Sequence, residues 1–346
     1  MKAAVIHEHG GIEQVVIEEI ADPKPKRDEV LIAVRAAALN HLDIWVRKGG
    51  RADQGISYPH VLGSDACGVV VEIGEDVENV SVGEEIIVDP GLSPSEGEYT
   101  RRGEGNVDPD FGVVGFTSPG TFAEKVAVPA RNVYPKPSHL SDEEGAALPL
   151  AYVTAWRMLM TRAELVPGET VLIHGIGGGV AIAGLQLGKI AGAELIVTSS
   201  CEDKLERARQ LGADHTINYK TTPDVAGAVR EITGGRGVDI AFDTVGAATW
   251  PINFEAVRKG GRIVHCGITT GKTVEANIQA LYWNQLTVMG STMGSAEDFR
   301  QLMSAVRVNG LKPVIDSVYS LDEAREAMAR MEAGEQFGKI VLNVEG

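Results

Sequence analysis

The sequence has little of three things that would define a function quickly: cysteine, positive charge and long apolar runs. Its three cysteines, Cys67, Cys201 and Cys266, lie far apart and form no CxxC pair. This spacing excludes a local zinc knuckle and a disulfide framework. The formal net charge is -16, and nonspecific nucleic-acid binding needs many Lys and Arg contacts to phosphate. We therefore expect no nucleic-acid partner.

The N-terminus, MKAAVIHEHG, lacks the apolar segment of a signal peptide, and no run of eighteen apolar residues could span a bilayer. We expect a cytoplasmic protein with no membrane partner. The composition, 44% hydrophobic and 23% charged residues, is ordinary for a globular chain, and 346 residues are enough for two domains.

Short strand-like runs separated by turn residues fill the first 150 residues and predict a mostly β domain. These runs are KAAVIH, EQVVIEEI, EVLIAVRAAAL and ACGVVVEIG. From Pro167 onward, apolar strands alternate with helical stretches, which predicts a parallel, doubly wound sheet. The strands are TVLIH, ELIVTS, HTINY, VDIAFD and RIVHCG, and the helical stretches include AIAGLQLGKIAG and CEDKLERARQLG.

The sheet is predicted to end near residues 284 to 292. Two amphipathic helices, EDFRQLMSAVRVNG and LDEAREAMARMEAG, follow it. We expect the last strand, GKIVLNVE, to return to the first domain.

A glycine-rich turn joins the strand TVLIH to the next helix, which is the context of a dinucleotide-binding loop. Glycines let the backbone approach a pyrophosphate, whose charge is met by the N-H groups of the helix start. Ala181 stands where the last glycine of GxGxxG would be, a substitution that the pattern tolerates. The alternative is a packing turn of an α/β fold. The candidate cofactor residues are Gly175, Gly177, Gly178, Gly179 and Val180.

The end of the next strand favours NADPH over NADH. An NAD enzyme carries a carboxylate there, whereas this strand ends in Thr198, Ser199 and Ser200. Lys204 follows one helical turn later and could meet a 2′-phosphate, or it could be a solvated helix lysine. Glu202 and Asp203 argue against a phosphate, but residues 200 to 203 also fit a helix capping box that would turn Asp203 back onto the backbone.

Several stretches in the same order resemble the medium-chain dehydrogenase/reductase superfamily over nearly the whole chain. They are ALNHLDIWVRKG, YPHVLGSDACGVVVEIG, PGTFAEKVAVP, LPLAYVTAWRML, HGIGGGVA, LGADHTINY, VDIAFDTVG, GGRIVHCG and FGKIVL. The resemblance implies an α/β protein with a GroES-like β domain, residues 1–151 and 294–346, beside a Rossmann NADP-binding domain, residues 152–293. It also implies an active site in the cleft between them.

Zinc-dependent relatives in this superfamily hold a structural zinc with four cysteines in a lobe. The stretch GLSPSEGEYTRRGEGNVD, residues 91 to 108, has the length of that lobe, but Pro94, Gly97, Thr100 and Asp108 stand at the ligand positions. None of these forms the thiolate or imidazole that structural zinc needs. We expect a zinc-free, mobile loop whose amide hydrogens exchange quickly.

The catalytic zinc ligands of the family align with Asn40, Ser64 and Leu150, so no coordinating triad is present and we expect no functional metal. His41, Asp43 and Asp65 lie nearby in sequence and leave an adventitious metal open. The segment from Asn40 to Asp43 resembles the N-x-x-D of the zinc-independent, quinone oxidoreductase-like branch.

By this resemblance the catalytic residues are Asn40, Asp43, Trp45 and Ser64. Asn40 would donate its amide to the nicotinamide or substrate oxygen, or cap a turn. Asp43 would orient its neighbours, and Trp45 would line an aromatic substrate or fill the core. No residue is required as the general acid, because solvent or the cofactor ribose could supply the proton. His41 and Tyr58 are weak candidates for this role.

The resemblance also assigns further cofactor contacts. Thr154 would contact the nicotinamide, Tyr219 would join Ser199 and Lys204 at the 2′-phosphate, and Lys339 would approach the cofactor phosphates. Residues 243 to 246, with Val245, and Gly267 would line the pocket. As alternatives, Tyr219 could be a half-buried strand residue and Lys339 a surface lysine.

A zinc-independent NADPH-dependent reductase of quinones, enones or related conjugated carbonyls is the function that the sequence favours. Such acceptors delocalise the charge that follows hydride attack, so they need less help than an unactivated alcohol. An alcohol dehydrogenase and a noncatalytic NADPH-binding protein are the alternatives. Superfamily members commonly associate through the edge of the Rossmann sheet, so residues 284 to 292 are expected at a homodimer interface.

Overall fold

The chain divides into two compact units in the computed structural model, which describes residues 1–50 and 56–345. One unit comprises Met1–Ala151 and Ser295–Gly346, and the other comprises Tyr152–Gly294. This division differs from the predicted domain boundaries only in the placement of Gly294.

The first unit is built mainly of antiparallel strands. Its strands are β1 (Lys2–Ile6), β2 (Val16–Glu19), β3 (Glu29–Ala38), β4 (His60–Val61), β5 (Asp65–Ile73), β6 (Glu85–Val88), β7 (Gly91–Leu92), β8 (Gly112–Val113), β9 (Lys125–Pro129), β10 (Val133–Pro135), β17 (Ile315–Ser320) and β18 (Lys339–Asn343). Its helices are α1 (His41–Arg47), α2 (Glu98–Arg101), α3 (Asp142–Ala147), α10 (Ala296–Asn309) and α11 (Ala324–Glu332).

The long strand β3 is the centre of the main sheet of this unit, whose order is β10-β6-β5-β3-β18-β17, with β9 also pairing with β3. A second sheet has the order β2-β1-β4, and β7 pairs with β8. The pairing of β18 with β3 confirms that the last strand returns to the first domain. The predicted helix LDEAREAMARMEAG begins later than expected, because Leu321–Glu323 form a 3-10 turn before α11.

The second unit holds a six-stranded parallel sheet. Its strands are β11 (Thr170–Ile173), β12 (Glu194–Ser199), β13 (His215–Asn218), β14 (Val238–Asp243), β15 (Val257–His265) and β16 (Thr287–Gly290). Its helices are α4 (Pro149–Trp156), which begins in the first unit, α5 (Gly179–Ile190), α6 (Glu202–Gln210), α7 (Val225–Ile232), α8 (Trp250–Ala256) and α9 (Ile278–Trp283). A π-helical segment, Arg157–Arg162, continues α4.

The sheet order β13-β12-β11-β14-β15-β16 is that of a Rossmann fold and confirms the predicted parallel, doubly wound sheet. Strand β14 is buried along its whole length, as its near-continuous apolar run predicts for a covered parallel sheet. A Cβ at Gly188 would lie 2.9 Å from the Leu195 side chain, so this glycine lets α5 pack closely on β12. None of the helices in the described ranges is long and apolar enough to cross a membrane.

Candidate active site

A buried ion pair lies at one end of β3 in the first unit. Lys339 and Asp65 are 4% and 0% exposed, and Lys339 Nζ lies 3.0 Å from Asp65 Oδ2. The same ammonium donates to Leu39 O at 2.8 Å and to Asn40 Oδ1 at 2.6 Å. Its three N-H groups are therefore matched by three acceptors.

Strand register places these groups together. Strand β3 pairs on one side with β5, where Ala38 faces Asp65, and on the other with β18, where Ala38 faces Val341. Asn40 follows the end of β3 and donates from Nδ2 to Asp65 Oδ2 at 2.9 Å. Asp65 Oδ1 accepts the backbone N-H of Leu150 at 2.9 Å. Asp65 is thus compensated by one cation and two further donors.

This arrangement does not fit a catalytic zinc. Of the three aligned ligand positions, Asn40 and Leu150 bond directly to Asp65, and Ser64 precedes it in the chain, but an amide, an aliphatic side chain and a hydroxyl cannot replace thiolate and imidazole. The carboxylate beside them already holds an ammonium. Within the described ranges, no group of three or more His, Cys, Asp or Glu side chains is arranged to hold a metal ion.

Three predicted site residues lie in or beside this cluster. Asn40 Nδ2 donates to Asp65 and, at 3.4 Å, to Ala38 O, so its amide N-H groups have acceptors inside the protein. Ser64 is fully buried. Lys339 is buried and has three protein acceptors inside the first unit, so it is not a surface lysine. The predicted contacts of these residues with substrate or cofactor stay predictions.

Asp43 orients the start of α1, as predicted. Its Oδ2 accepts the backbone N-H of Asn40 at 2.7 Å, and the side chain is 1% exposed. Burial raises the pKa of the Asp43 carboxyl to about 7, against the lowering effects of the Asn40 N-H and the Lys339 charge. The folded protein thus holds a proton on Asp43 at pH values where the unfolded chain has lost it.

Replacing Asp43 by Asn should change how stability depends on pH. The pKa of Asp43 is about 7 in the folded protein and 3.8 in the unfolded chain. Its contribution to the free energy of unfolding is therefore fully present below pH 4 and is lost as the pH rises through 7. Relative to wild type, Asp43→Asn should therefore gain up to ~4 kcal/mol of unfolding free energy between pH 4 and pH 8. Urea unfolding at both pH values measures this difference. A parallel Asp110→Asn variant, at an exposed site, is the control, and equal pH trends in both variants would contradict the prediction.

The four positions that align with structural zinc ligands, in residues 91 to 108, form two close pairs. Thr100 Oγ1 donates to Pro94 O at 2.9 Å, and a Cβ on Gly97 would stand 3.4 Å from Asp108 Oδ2. The lobe therefore keeps a compact turn in which a hydrogen bond links two of the positions. That it is mobile stays a prediction for hydrogen exchange.

In the second unit, the glycine-rich turn connects β11 to the N-terminus of α5 as predicted. Gly175 has φ +67° and Gly177 has φ +137°, conformations that favour glycine. Gly179 is the first residue of α5, and Val180 follows it. The first N-H groups of the helix have no partner within the helix and are suited to an anion such as pyrophosphate.

Gly178 differs from the other glycines of the turn. Its φ of -71° and ψ of 149° are open to any residue, and a Cβ built there would meet no heavy atom within 4 Å. Neither the backbone nor the surrounding protein therefore requires a glycine at this position. A ligand that approaches the backbone closely would explain why this position is a glycine.

Ser199 and Tyr219 lie side by side at the ends of β12 and β13. The Tyr219 N-H donates to Ser199 O at 3.0 Å, and its ring is 45% exposed, which leaves it accessible to a ligand. Ser200 follows Ser199, and Lys204 lies in the first turn of α6. No carboxylate stands at the end of β12.

The predicted capping box over residues 200 to 203 is wrong. Helix α6 has Cys201 at its N-cap and no side-chain cap, because the helix begins one residue later than a Ser200 cap requires. Ser199 Oγ accepts the Cys201 N-H at 3.2 Å. The objection from Glu202 is weakened in another way. Its carboxylate pairs with Arg209 at 3.2 Å and accepts from Asn218 Nδ2 at 3.3 Å.

The residue assigned to the nicotinamide and those assigned to the pocket lining lie at three places in the second unit. Thr154 is buried in α4. Val245 follows β14, and its Cγ2 stands 3.0 Å from the position of a Cβ on Gly175. Gly267 follows β15, where a Cβ would stand 1.9 Å from Thr244 O. The structure brings Val245 against the phosphate turn.

Aromatic rings surround the outer side of α1. Exposed His41 lies 6.4 Å from half-buried Trp45, measured between ring centroids, and exposed Tyr58 lies 5.7 Å from His9. His9 Nδ1 bonds to Val46 O at 2.9 Å, which links the second pair to α1. The predicted roles of Trp45, His41 and Tyr58 stay predictions.

Two protein-family models match the chain. The model described as alcohol dehydrogenase GroES-like domain matches residues 26–138, and the one described as zinc-binding dehydrogenase matches residues 179–307. The first covers much of the antiparallel unit, and the second covers most of the parallel sheet.

Several known proteins are similar over the whole length. A zinc-type alcohol dehydrogenase-like protein of Schizosaccharomyces pombe is 33% identical, covering 99% of both chains. The quinone oxidoreductase of Homo sapiens is 27% identical, covering 99% of this chain and 97% of its own. The crystal structure of an NAD-dependent alcohol dehydrogenase is 40% identical with a TM-score of 0.95, covering 99% of this chain and 100% of that one. The names divide between alcohol and quinone chemistry.

Proposed function

Because the chain belongs to the medium-chain dehydrogenase/reductase superfamily of pyridine-nucleotide-dependent oxidoreductases, we propose that it reduces quinones, enones or related conjugated carbonyls with NADPH and without zinc. The observation that carries this proposal is the buried cluster of Asp65, Asn40 and Lys339. In it, an ammonium and hydrogen bonds occupy the surroundings in which zinc-dependent relatives place thiolate and imidazole ligands.

The cluster also bears on the class of substrate. Hydride transfer to an isolated carbonyl leaves a localised alkoxide charge, which a Lewis acid or strong donors must meet. The Asn40 amide donors are engaged inside the protein. In a conjugated acceptor the charge is spread over carbon and oxygen and needs less stabilisation, so a site with few free donors suits quinones and enones better than simple ketones.

The proposed cofactor is NADPH, which supplies a hydride when bound. The glycine turn would hold its pyrophosphate at the start of α5, and Ser199, Ser200, Lys204 and Tyr219 would surround the 2′-phosphate. The pairing of Glu202 with Arg209, a cation that Glu206 shares, supports this choice, because it offsets part of the negative charge of Glu202 near the proposed 2′-phosphate.

A single assay separates the proposal from its alternatives. Consumption of NADPH and of NADH is followed with o-quinones, enones, aldehydes and ketones, each with and without a chelator. The proposal expects chelator-insensitive oxidation of NADPH by quinones or enones. Chelator-sensitive reduction of aldehydes or ketones would instead establish an alcohol dehydrogenase. Tight NADPH binding without turnover on any acceptor would indicate a noncatalytic binding protein.

Replacing Ser199 by Asp should reverse the cofactor preference. A carboxylate at the end of β12 repels a 2′-phosphate and accepts from a ribose hydroxyl. We expect NADPH affinity to fall by about tenfold or more while NADH affinity is kept or improved. Fluorescence titration with both cofactors measures this change. Ser199→Asn has the same size without the charge, and an equal loss of NADPH affinity in that variant would contradict an electrostatic cause.

We also propose a homodimer formed through the edge strand β16. This strand ends the parallel sheet, and the preceding helix α9 exposes Ile278, Tyr282 and Trp283 by 63%, 63% and 68%. Such large apolar side chains on one short helix are typical of an interface. Light scattering should give twice the chain mass, and Trp283→Glu should shift it toward the monomer. A monomeric wild type at every concentration would refute this assembly.

A further inference from the structure

A buried chain of polar side chains connects the ends of β11, β12 and β14 in the second unit. His174, 1% exposed, directly follows β11. Its Nε2 lies 2.9 Å from Asn253 Oδ1, and its Nδ1 lies 3.4 Å from Thr198 Oγ1. A histidine that follows an apolar strand is an unusual polar group for a core, and the sequence analysis assigns no role to His174.

One end of this chain is the carboxylate of Asp243. Asp243 Oδ2 accepts from Asn253 Nδ2 at 2.6 Å and from Thr249 Oγ1 at 2.8 Å. Its Oδ1 accepts the backbone N-H groups of Val245 at 2.7 Å and Gly246 at 3.1 Å. Asp243 therefore fixes the turn that follows β14.

The other end is the glycine-rich turn that follows β11, called the phosphate turn here because the proposed function places the cofactor pyrophosphate at it. The Gly175 N-H donates to Thr198 Oγ1 at 3.3 Å, and the Ile176 N-H donates to Thr198 O at 2.8 Å. Thr198 thus holds the first two residues of the turn. Its side chain is 2% exposed, so water does not compete for these bonds.

The direction of every hydrogen bond follows from Asp243. Asp243 Oδ2 accepts from Asn253 Nδ2, so Asn253 directs its Oδ1 toward His174. His174 Nε2 then carries the proton, and Nδ1 accepts from the Thr198 hydroxyl. The Thr198 oxygen remains free to accept from Gly175. Burial lowers the pKa of His174, which keeps the ring neutral as this pattern requires.

The two turns joined by this chain also touch at its outer side. Val245 Cγ2 stands 3.0 Å from the position of a Cβ on Gly175. The Val245 side chain therefore packs beside the Gly175 backbone, and the directed hydrogen bonds beneath orient the N-H groups of both turns. Orientation decides whether those groups can meet a bound anion.

We propose that His174 is a positioning residue that holds the phosphate turn in register with the Val245 turn, through Thr198 on one side and Asn253 and Asp243 on the other. This inference rests on the proposed function, because it assigns the two turns to one pyridine nucleotide. His174 does not contact the cofactor. It sets cofactor affinity by fixing the Gly175 N-H and the Val245 turn before binding.

Thr198 offers the sharpest test, because Thr198→Val removes the hydroxyl and keeps the side-chain shape. We expect it to weaken NADPH binding by about tenfold, through loss of both the Gly175 and the His174 bonds. Thr198→Ser keeps the hydroxyl and should bind within about threefold of wild type. His174→Phe should reproduce the loss of Thr198→Val. Fluorescence titration with NADPH, well below the thermal midpoint of each variant, gives the dissociation constants.

Thr170→Val is a matched control on the same sheet. Thr170 is also buried, and its hydroxyl bonds to Glu194 at 3.0 Å at the opposite end of β11. The Thr170→Val variant should lower thermal stability as Thr198→Val does but should leave NADPH affinity unchanged. Equal NADPH affinity of Thr198→Val and wild type, or an equal loss in Thr170→Val, would overturn the inference. Failure of wild type to bind NADPH or NADH would overturn the proposed function and this inference with it.

Discussion

Lys339→Met should be strongly destabilising. The variant leaves the Asp65 carboxylate fully buried without its cation, and breaking one side of a buried ion pair typically costs about 3–5 kcal/mol. Two donors, from Asn40 and Leu150, remain to Asp65, so the lower part of this range is expected. Equilibrium urea unfolding measures the loss as a lower midpoint.

Adding Asp65→Asn to Lys339→Met should restore much of that stability, because an amide can bond to Asn40 and Leu150 and carries no charge to compensate. The exposed pair of Lys312 and Glu144, 3.0 Å apart, supplies a surface control, and Lys312→Met should cost no more than about 1 kcal/mol. If Lys339→Met is as mild as this control, or the double variant is no more stable than the single one, the ammonium does not compensate Asp65.

The parallel sheet could be predicted from the sequence because its signals are local. The runs ELIVTS and VDIAFD coincide with β12 and β14, and the glycine turn stands where strand and helix patterns meet. Each of these signals extends over fewer than twenty residues and depends on backbone conformation and burial alone.

The buried cluster of Asp65, Asn40 and Lys339 could not be predicted in the same way. Lys339 and Asn40 are 299 positions apart in the chain, and only the pairing of β18 and β5 with β3 brings them to Asp65. The resemblance implies that the Asn40 amide donates to the nicotinamide or substrate oxygen, or caps a turn, and that Lys339 approaches the cofactor phosphates, or lies at the surface. Strand register gave both side chains internal partners.

The capping box failed for a local reason. Ser200 and Asp203 have the residue types and spacing of the motif, but the hydroxyl of Ser199 takes the Cys201 N-H and the helix starts at Glu202. The residue pattern does not show that the helix begins at Glu202 rather than at Cys201. Without the motif, the case for NADPH rests on the hydroxyls at the end of β12 and on the pairing of Glu202 with Arg209, a cation that Glu206 shares.

Gly178→Val should abolish most cofactor affinity with almost no effect on folding. The backbone at Gly178 is extended, with φ -71° and ψ 149°, and a Cβ would meet no protein atom within 4 Å. The side chain would instead stand where a pyrophosphate approaches the turn. We expect NADPH affinity to fall by about 100-fold, equivalent to about 2.7 kcal/mol of binding free energy. The unfolding free energy should change by no more than about 0.5 kcal/mol.

Graded variants show whether steric contact with the ligand is the cause. Gly178→Ala adds one methyl group and should weaken NADPH less than Gly178→Val, and NADH should lose affinity in parallel because both cofactors share the pyrophosphate. In contrast, Ser199→Asp should separate the two cofactors. If Gly178→Val binds both cofactors as wild type does, the phosphate is not bound at this turn, and the glycine there has no role that the described structure explains.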